Sequence, residues 1–308
     1  MSNIVVIGSI NMDVVNHVQK HPLPGETIKG WGTSYYPGGK GANQAVAAAR
    51  AGGKVTMIGA VGNDSFGRSL SAALQKEGIN TNYILEKEGT SGLAFITVDS
   101  FGENSIILSE GANGKVGISD LQKLSSIMKS ADMLLLQNEI PWETTTHVFE
   151  EAQNSDTRVF FNPAPAFKVP EDVLPLIDVL ILNETEVQVI TGNEIRDVSQ
   201  ARLAAEQLSN EGVKEVVITL GKKGALYMNR EGDNLYTPAF TVETVDTTAA
   251  GDTFIGAYAV ASTAGQSIKE SLQFASAASA LSVTRRGAQS SIPNREEIQH
   301  FLHNQLDN

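Results

Sequence analysis

The sequence contains no cysteine among its 308 residues, which excludes disulfide bonds, thiolate nucleophiles and thiolate metal ligands. The same absence suits a reducing compartment, and we expect a cytoplasmic protein. The first residues lack the basic region of a signal peptide and enter a strand-like run at once. No apolar run approaches the ~18 residues of a membrane span, so we expect no membrane partner.

Motifs of several common enzyme classes are also missing. The five histidines do not fall at the His-Glu-x-x-His spacing of zinc hydrolases, and there is no Gly-x-Ser-x-Gly turn of a serine hydrolase. Lys40 is followed by Gly41 where a Walker A loop requires Ser or Thr. Positive charge is scarce, because 23 basic and 35 acidic residues give a net charge of -12. We therefore expect no nucleic-acid partner.

The composition is that of a globular protein, with 41% hydrophobic and 19% charged residues. The apolar run at residues 4–7 ends in Gly8, which predicts a buried strand of a parallel sheet. After Glu110, helical and strand-like patterns alternate along the chain. We therefore predict an α/β fold, a three-layer α/β/α sandwich with a mostly parallel central sheet.

Two stretches interrupt this alternation, because each contains strand-like runs with no helix between them. The runs are residues 13–18, 27–31, 92–99 and 104–108. We assign them to one small antiparallel sheet inserted into the core. The predicted division is a core of residues 1–13, 39–91 and 110–308 and a small β-sheet of residues 14–38 and 92–109.

Two glycine-containing segments each open a helix. Residues 38–41 precede an alanine-rich helix, and residues 246–252 follow a β-like run at 240–245 and precede a second helix. A helix amino terminus carries unpaired N–H groups and a partial positive charge, which makes it suitable for an anion. Asp252 lies in the first turn of the second helix. This segment alone leaves open whether Asp252 is a base beside a phosphate or only complements the helix dipole.

Polar residues also follow several predicted strands. They are Asn138 and Glu139, Asn183 and Glu186, Thr219 and Gly221, and Asp246 and Asp252. The carboxyl ends of parallel strands form the edge at which open α/β sheets bind ligands, so we expect these groups to converge. Taken singly, each is more typical of a helix cap or a turn than of a ligand site.

Two of these segments together resemble the signatures of the PfkB carbohydrate kinases. Residues 38–45 resemble the amino-terminal signature, and residues 246–254 resemble the carboxyl-terminal one. The similarity continues through residues 183–186 and 219–224 and so covers nearly the whole chain. Within the family, three further segments are similar to members that act on D-ribose: 8–13, 137–139 and 284–289.

The resemblance implies an ATP-dependent kinase that phosphorylates the primary 5-hydroxyl of D-ribose, with ribose and ATP as its partners. Asp252 would be the general base, and the anion hole would be formed by Ala249, Ala250 and Gly251. The implied sugar-binding residues are Asn11, Met12, Asp13, Gly39, Lys40, Gly41, Ala42, Asn43, Glu139 and Asp252. The implied ATP-binding residues are Asn183, Thr219, Leu220, Gly221, Lys222, Lys223, Gly224, Gly251, Asp252 and Ser276.

The resemblance also implies Mg²⁺ with ATP and an activating K⁺. Glu186 would be linked to magnesium, and the potassium loops would contain Asp246, Thr248, Ser282, Arg285, Gly287 and Ser291. The inserted sheet would be a lid over the sugar and the interface of a homodimer. Two alternatives stay open: another kinase of the family, acting on fructose, a deoxyribose or a nucleoside, and a catalytically silent member that serves as a binding subunit.

Overall fold

The computed structural model describes residues 2–306, and within that range it contains one large and one small β-sheet. The strands are β1 (Asn3–Ile7), β2 (Asn11–Val18), β3 (Gly30–Gly38), β4 (Lys54–Gly62), β5 (Asn80–Lys87), β6 (Gly92–Val98), β7 (Asn104–Ser109), β8 (Met133–Gln137), β9 (Arg158–Asn162), β10 (Val179–Asn183), β11 (Glu215–Thr219), β12 (Ala225–Asn229) and β13 (Asn234–Thr237). The helices are α1 (Lys40–Arg50), α2 (Ser65–Lys76), α3 (Ile118–Gln122), α4 (Ser125–Lys129), α5 (Trp142–Ala152), α6 (Glu184–Thr191), α7 (Val198–Asn210), α8 (Ala250–Thr263), α9 (Ile268–Ser282) and α10 (Arg295–Leu306). None of the helices in this range is long and apolar enough to cross a membrane.

The large sheet has the strand order β13-β12-β11-β10-β9-β8-β1-β4-β5. Its strands from β11 to β5 pair in parallel, whereas β12 and β13 are antiparallel. Along β1, Ile4 and Val6 join a core with α1, α8 and α9, while Val5 and Ile7 join a second core with α5 and α7. Helices therefore cover both faces, which confirms the predicted three-layer α/β/α sandwich.

The small sheet has the order β3-β2-β6-β7. The prediction that it is antiparallel is wrong in one respect, because β2 and β6 run parallel to each other. The strand predicted at residues 27–31 is also wrong, since the pairing of β3 with β2 extends from Gly38, opposite Asn11, back to Gly30. Because β2 begins at Asn11, Asn11 and Asp13 lie on the small sheet and project from the same face.

Other elements agree or differ for local reasons. Asp64 caps α2 as a helix-start residue should, accepting a hydrogen bond from the Gly67 amide at 2.7 Å. Residues 240–245 are not a strand, because the amides of Val245 and Asp246 donate to the Val283 carbonyl instead. The helix predicted over 119–129 is divided into α3 and α4. The half-exposed edge strand β5 was not predicted.

Helices α1 and α8 pack closely through a glycine. A Cβ added to Gly256 of α8 would lie 2.5 Å from the Cβ of Ala47 and 2.7 Å from the carbonyl oxygen of Gln44. Any larger residue would push the two helices apart. Their contact brings the first turns of both helices to the same carboxyl edge of the large sheet.

Candidate active site

The two signature segments meet at the Asp252 carboxylate. Gly39 precedes α1 with a φ of 90°, and a Cβ on it would lie 2.7 Å from the amide nitrogen of Asn11. On α1, Asn43 Nδ2 donates to Asp252 Oδ2 at 3.0 Å, and Gln44 Nε2 donates to Asp252 Oδ1 at 3.0 Å. Both oxygens of this buried carboxylate therefore accept an amide N–H, which fixes its orientation.

Glu139, which follows β8, is attached to the glycine loop. Its carboxylate accepts hydrogen bonds from the Ser9 hydroxyl and from the Lys40 backbone amide, the latter at 3.1 Å. Ser9 follows β1, and its Oγ accepts from the Gly41 amide at 3.2 Å. Burial raises the pKa of Glu139, although the Lys40 charge and these hydrogen bonds oppose the rise. The ends of β1 and β8 are thus joined to the start of α1.

The side chain of Asn11 is oriented by Asn113. Asn113 Nδ2 donates to Asn11 Oδ1 at 2.7 Å, while Asn113 Oδ1 accepts from the Ile10 amide at 3.0 Å. A Cβ on Gly92 would lie 2.2 Å from Asn11 Oδ1, so a glycine is needed beside this pair. Because the oxygen of Asn11 is already bonded, its Nδ2 group is the part that can donate to a ligand.

Asp13 faces the same carboxylates from the small sheet. Burial, and then the negative charges of Glu139 and Asp252, raise the pKa of Asp13 to about 7. Its carboxylate lies against Gly38, where an added Cβ would come within 2.3 Å of Oδ2. The ionised form of Asp13 is therefore poorly stabilised by the protein, and hydroxyl groups of a bound ligand would stabilise it.

A cavity of about 210 Å³ adjoins Asp252. It is lined by Lys40, Asn162, Ile181, Leu182, Asn183, Glu186, Thr219, Thr247, Ala249, Ala250, Gly251, Asp252 and Ile255. Burial lowers the pKa of Lys40, but the carboxylates of Asp252, Glu139 and Glu186 outweigh burial and raise it overall. The cavity therefore combines a stable cation with the amino terminus of α8, two features that favour an anion.

The first turn of α8 has an unusual backbone. Ala249 adopts a φ of 58°, and within residues 2–306 it is the only non-glycine residue with a positive φ. For alanine this left-handed conformation costs on the order of 1 kcal/mol. The Ala250 amide donates to the Thr247 carbonyl at 3.2 Å. Of the three predicted anion-hole residues, Ala249 and Gly251 therefore have the amides better able to receive an anion.

Asn183 and Glu186 form a reciprocal cap at the start of α6. Asn183 Oδ1 accepts from the Glu186 amide, and the Glu186 carboxylate accepts from the Asn183 amide, each at 2.9 Å. The same carboxylate accepts from Asn162 Nδ2 at 3.2 Å. Burial raises the pKa of Glu186 against the effect of these bonds. Both residues thus serve as a helix cap and also line the cavity.

Several predicted site residues do not line the cavity with their side chains. Met12 and Ala42 belong to the hydrophobic core, so only their backbone atoms could meet a sugar. Leu220 is also a core residue, and Ser276 is buried within α9. The rest of the predicted nucleotide loop forms a short turn beside the cavity: Gly221, Lys222, Lys223 and Gly224.

Asp246 joins the two loops predicted to hold potassium. Its Oδ1 accepts from the Thr248 amide at 2.9 Å, and its Oδ2 accepts from the Gly287 amide at 2.9 Å. Burial alone would raise the pKa of Asp246, but these hydrogen bonds lower it overall. The remaining predicted members lie at the end of α9 and in the loop after it: Ser282, Arg285 and Ser291.

Sequence reasoning missed the buried polar residues that support the site. Ser9, Gln44 and Gln137 lie within segments that resemble the family. The resemblance assigned them no role. Asn113 and Asn162 belong to no motif. Their bonds to Asn11 and Gln44 span 102 and 118 residues of sequence, a relation that local patterns do not reveal.

A wider groove of about 990 Å³ lies at the opposite, amino-terminal edge of the sheet. Its charged residues are Lys129, Asp132, Asp156, Arg158 and Arg295. Acidic and basic groups are mixed there, and Arg158 is already paired with Glu215 at 2.7 Å. Because open α/β sheets bind ligands at the carboxyl edge, the smaller cavity is the better candidate.

Comparison with known proteins shows similarity to carbohydrate kinases over most of the chain. Residues 1–295 match the family model described as pfkB family carbohydrate kinase. The chain is similar to a ribokinase of Haemophilus influenzae, with 41% identity over 300 residues, 97% of this chain and 98% of that protein. It is also similar to a deoxyribokinase of Salmonella typhi, with 36% identity over 302 residues, 97% of this chain and 98% of that protein. Arabidopsis thaliana ribokinase complexed with ribose and ATP has a TM-score of 0.91 at 32% identity, with 98% of each chain covered.

Proposed function

The chain belongs to the pfkB family of carbohydrate kinases, and on that basis we propose that it transfers the γ-phosphoryl group of ATP to the 5-hydroxyl of D-ribose. The products are ribose 5-phosphate and ADP. The observation that carries the proposal is the Asp252 carboxylate, which the side-chain amides of Asn43 and Gln44 hold in place. Polar groups suited to sugar hydroxyls lie on one side of it, and the cavity suited to an anion lies on the other. The cysteine-free sequence suits the cytoplasm, where we place the reaction.

The sugar would be recognised by both hydrogen-bond donors and hydrogen-bond acceptors of the protein. Asn11 offers an N–H group, and Asp13 and Glu139 offer carboxylate oxygens. Asn43 Oδ1 is buried and has no hydrogen-bond partner within residues 2–306, which leaves it available to a sugar hydroxyl. A site of this kind discriminates strongly against a sugar that lacks one hydroxyl, because a buried polar group would be left unpaired.

Phosphoryl transfer would take place at Asp252, between the groups that bind the sugar and the cavity that binds the anion. Asp252 takes the proton of the 5-hydroxyl as that oxygen bonds to the γ-phosphorus and the bond to ADP breaks. The amides at the start of α8 and the Lys40 ammonium group stabilise the negative charge of the transferred phosphoryl group. Asn183, Thr219 and the turn at Gly221–Lys223 would hold the nucleotide.

Two ions accompany the proposal. Mg²⁺ would neutralise charge on ATP, and the Glu186 carboxylate at the cavity would be the protein group linked to it. Within residues 2–306 no group of three or more His, Asp or Glu side chains is placed to hold a metal ion. Phosphate oxygens of ATP would therefore complete the magnesium site. K⁺ suits the oxygen-rich loops around Asp246, whose carboxylate already holds the two loops together.

A coupled assay of ADP release tests the proposed reaction. With D-ribose, 2-deoxy-D-ribose, D-fructose and adenosine as acceptors, kcat/KM for ribose should exceed the others by at least about tenfold, because the polar groups match its hydroxyls. Phosphorus NMR should place the phosphate on the 5-hydroxyl. A higher kcat/KM for another acceptor would make that acceptor the substrate in place of ribose. ATP binding without turnover on any acceptor would favour a silent binding subunit.

We also propose that residues 14–38 and 92–109 act as a lid and that two copies of the chain associate through it. Asp13, Ala94 and Leu108 are in register, so Leu108 and Ile106 lie on the face that carries Asp13. Ile106 and Leu108 are 53% and 44% exposed, which leaves an apolar surface on this face. A second copy covering this surface would also shield the sugar from water.

Charged substitutions on this face test the dimer. Ile106→Lys combined with Leu108→Lys should weaken self-association at least about 100-fold, because two charges would be buried in the interface. Analytical ultracentrifugation would measure the dissociation constant. Leu203→Lys on α7, where leucine is 66% exposed, is the matched control and should leave association unchanged. A monomeric wild-type protein, or a fully dimeric double variant, would contradict the proposal.

A further inference from the structure

Gln44 and Gln137 are completely buried, so neither can touch a sugar or a nucleotide. Both nevertheless belong to a chain of hydrogen bonds that ends on Asp252. We propose that Gln44, supported by a hydrogen bond from Gln137, is a positioning residue that sets the direction of the Asp252 carboxylate. The inference rests on the proposed role of Asp252 as the base, and it adds two residues to which the family signatures give no role.

All of the strong hydrogen-bonding groups of Gln44 are engaged. Its Nε2 donates to Asp252 Oδ1 at 3.0 Å and to Asn162 Oδ1 at 3.3 Å. Its Oε1 accepts from Gln137 Nε2 at 2.7 Å. A side-chain amide has two N–H groups and one oxygen, so this arrangement uses each of them.

The two ends of the Gln44 amide cannot be exchanged. With the amide flipped, its oxygen would face two hydrogen-bond acceptors, the Asp252 carboxylate and Asn162 Oδ1. Both contacts would be repulsive, because the Gln44 side chain is completely buried. Gln137 supports this orientation by donating to the Gln44 oxygen, although it is one residue removed from the carboxylate.

Gln137 is itself held in place by the end of β1. A Cβ on Gly8 would lie 2.0 Å from Gln137 Oε1, so the glutamine occupies space that only glycine leaves open. Gln137 Oε1 has no hydrogen-bond partner within residues 2–306. Leaving a buried oxygen unpaired is unfavourable, so a purely structural role would be served better by an apolar side chain. Donation to Gln44 accounts for an amide at this position.

Asn43 cannot replace Gln44 in this role. Asn43 donates to the other oxygen, Asp252 Oδ2, and its own oxygen is left for the sugar. The charged groups that face Asp252 are Lys40 on α1, Asp13 on β2, Glu139 after β8 and Glu186 on α6. They act on the charge of the carboxylate and make no hydrogen bond that sets its direction. Without Gln44 the carboxylate would keep only the hydrogen bond from Asn43, and it could rotate about that contact.

A double-mutant cycle tests the inference. Gln44→Met should lower kcat about 10- to 100-fold, because a misdirected base loses much of its efficiency, while KM for sugar and ATP changes less than about threefold. Gln137→Met should lower kcat by a smaller factor, about 3- to 10-fold. The double variant should be no slower than Gln44→Met alone, because Gln137 acts only through Gln44. Independent, multiplying losses would overturn the relay.

The pH profile of kcat separates positioning from simple structural support. Gln44→Glu places a carboxyl group beside Asp252, and the two acids would share a proton. The acidic limb of the profile should therefore move to higher pH, which a loss of packing alone would not cause. An unshifted limb with full activity would overturn the inference. Should Gln44→Met fail to fold, Gln44→Glu and Gln137→Met still decide the question.

Two further measurements keep the outcomes distinct. Thr144→Val on α5 removes a buried hydrogen bond to the Val116 carbonyl and should reduce stability while leaving kcat unchanged. All variants are compared on whichever sugar the wild type phosphorylates fastest, so a wrong choice of ribose does not affect the cycle. If Asp252→Asn retains full activity, the proposed base fails. If Asp252→Asn is inactive while Gln44→Met equals wild type, only the present inference fails.

Discussion

Replacing Asp252 with asparagine should lower kcat about 10²- to 10⁴-fold, because the general base is removed from the sugar hydroxyl. KM for ATP should change less than about threefold, since the amides at the start of α8 and Lys40 are unchanged. The fold should survive. The introduced side-chain amide can keep its oxygen towards Gln44, and Asn43 can turn its unpaired Oδ1 towards the new NH₂ group. Steady-state kinetics and thermal unfolding measure the two effects.

The control for this substitution is another acid-to-amide change. Asp197 caps α7 by accepting a hydrogen bond from the Gln200 amide at 2.9 Å, and asparagine caps helices equally well. Asp197→Asn should therefore leave both activity and stability unchanged. Retention of more than about a tenth of wild-type turnover in Asp252→Asn would be too much for a lost general base and would remove the assignment.

Replacing Asp13 with asparagine should stabilise the ligand-free protein at pH 8 and at the same time damage sugar binding. The pKa of Asp13 is raised from 3.8 to about 7 by burial and by Glu139 and Asp252. The folded state therefore holds this proton more tightly than the unfolded chain, and the free energy of unfolding falls as pH rises between these two values. Asparagine carries no charge, so the variant should gain about 1–3 kcal/mol at pH 8 and almost nothing at pH 4.

The same substitution should weaken the binding of the sugar. KM for ribose should rise about 10- to 100-fold in Asp13→Asn, because a charged hydrogen-bond acceptor is lost. In the wild type, KM for ribose should rise as the pH falls below about 7, because protonated Asp13 is a poorer acceptor. Denaturant unfolding at both pH values and sugar titrations test the pair of effects. Asp99→Asn, in the loop of the same sheet, should alter neither, and a destabilised Asp13→Asn protein at pH 8 would show that its charge is well tolerated.

The sequence predicted those features of the fold and of the site that neighbouring residues mark, and it missed those that depend on distant residues. The glycines before α1 and the small residues before α8 mark their helix starts, so the positions of Lys40 and Asp252 in the first turns of these helices could be predicted. The run at residues 240–245 looked like a strand, but extended backbone becomes a strand only when a neighbour pairs with it, and here the Val283 carbonyl takes the amides. The hydrogen bond from Gln137 that supports the orientation of Gln44 spans 93 residues of sequence, and no local pattern reports it.

The glycine contact between α1 and α8 has a consequence for how the enzyme can waste ATP. Gly256 lets the two helices approach so closely that Asn43 and Gln44 of α1 reach the Asp252 carboxylate of α8. These hydrogen bonds join protein groups to each other, so a water molecule in the place of the sugar hydroxyl would meet the same proposed base. Selection against hydrolysis would then fall to the proposed lid, and its closure would govern fidelity more than speed.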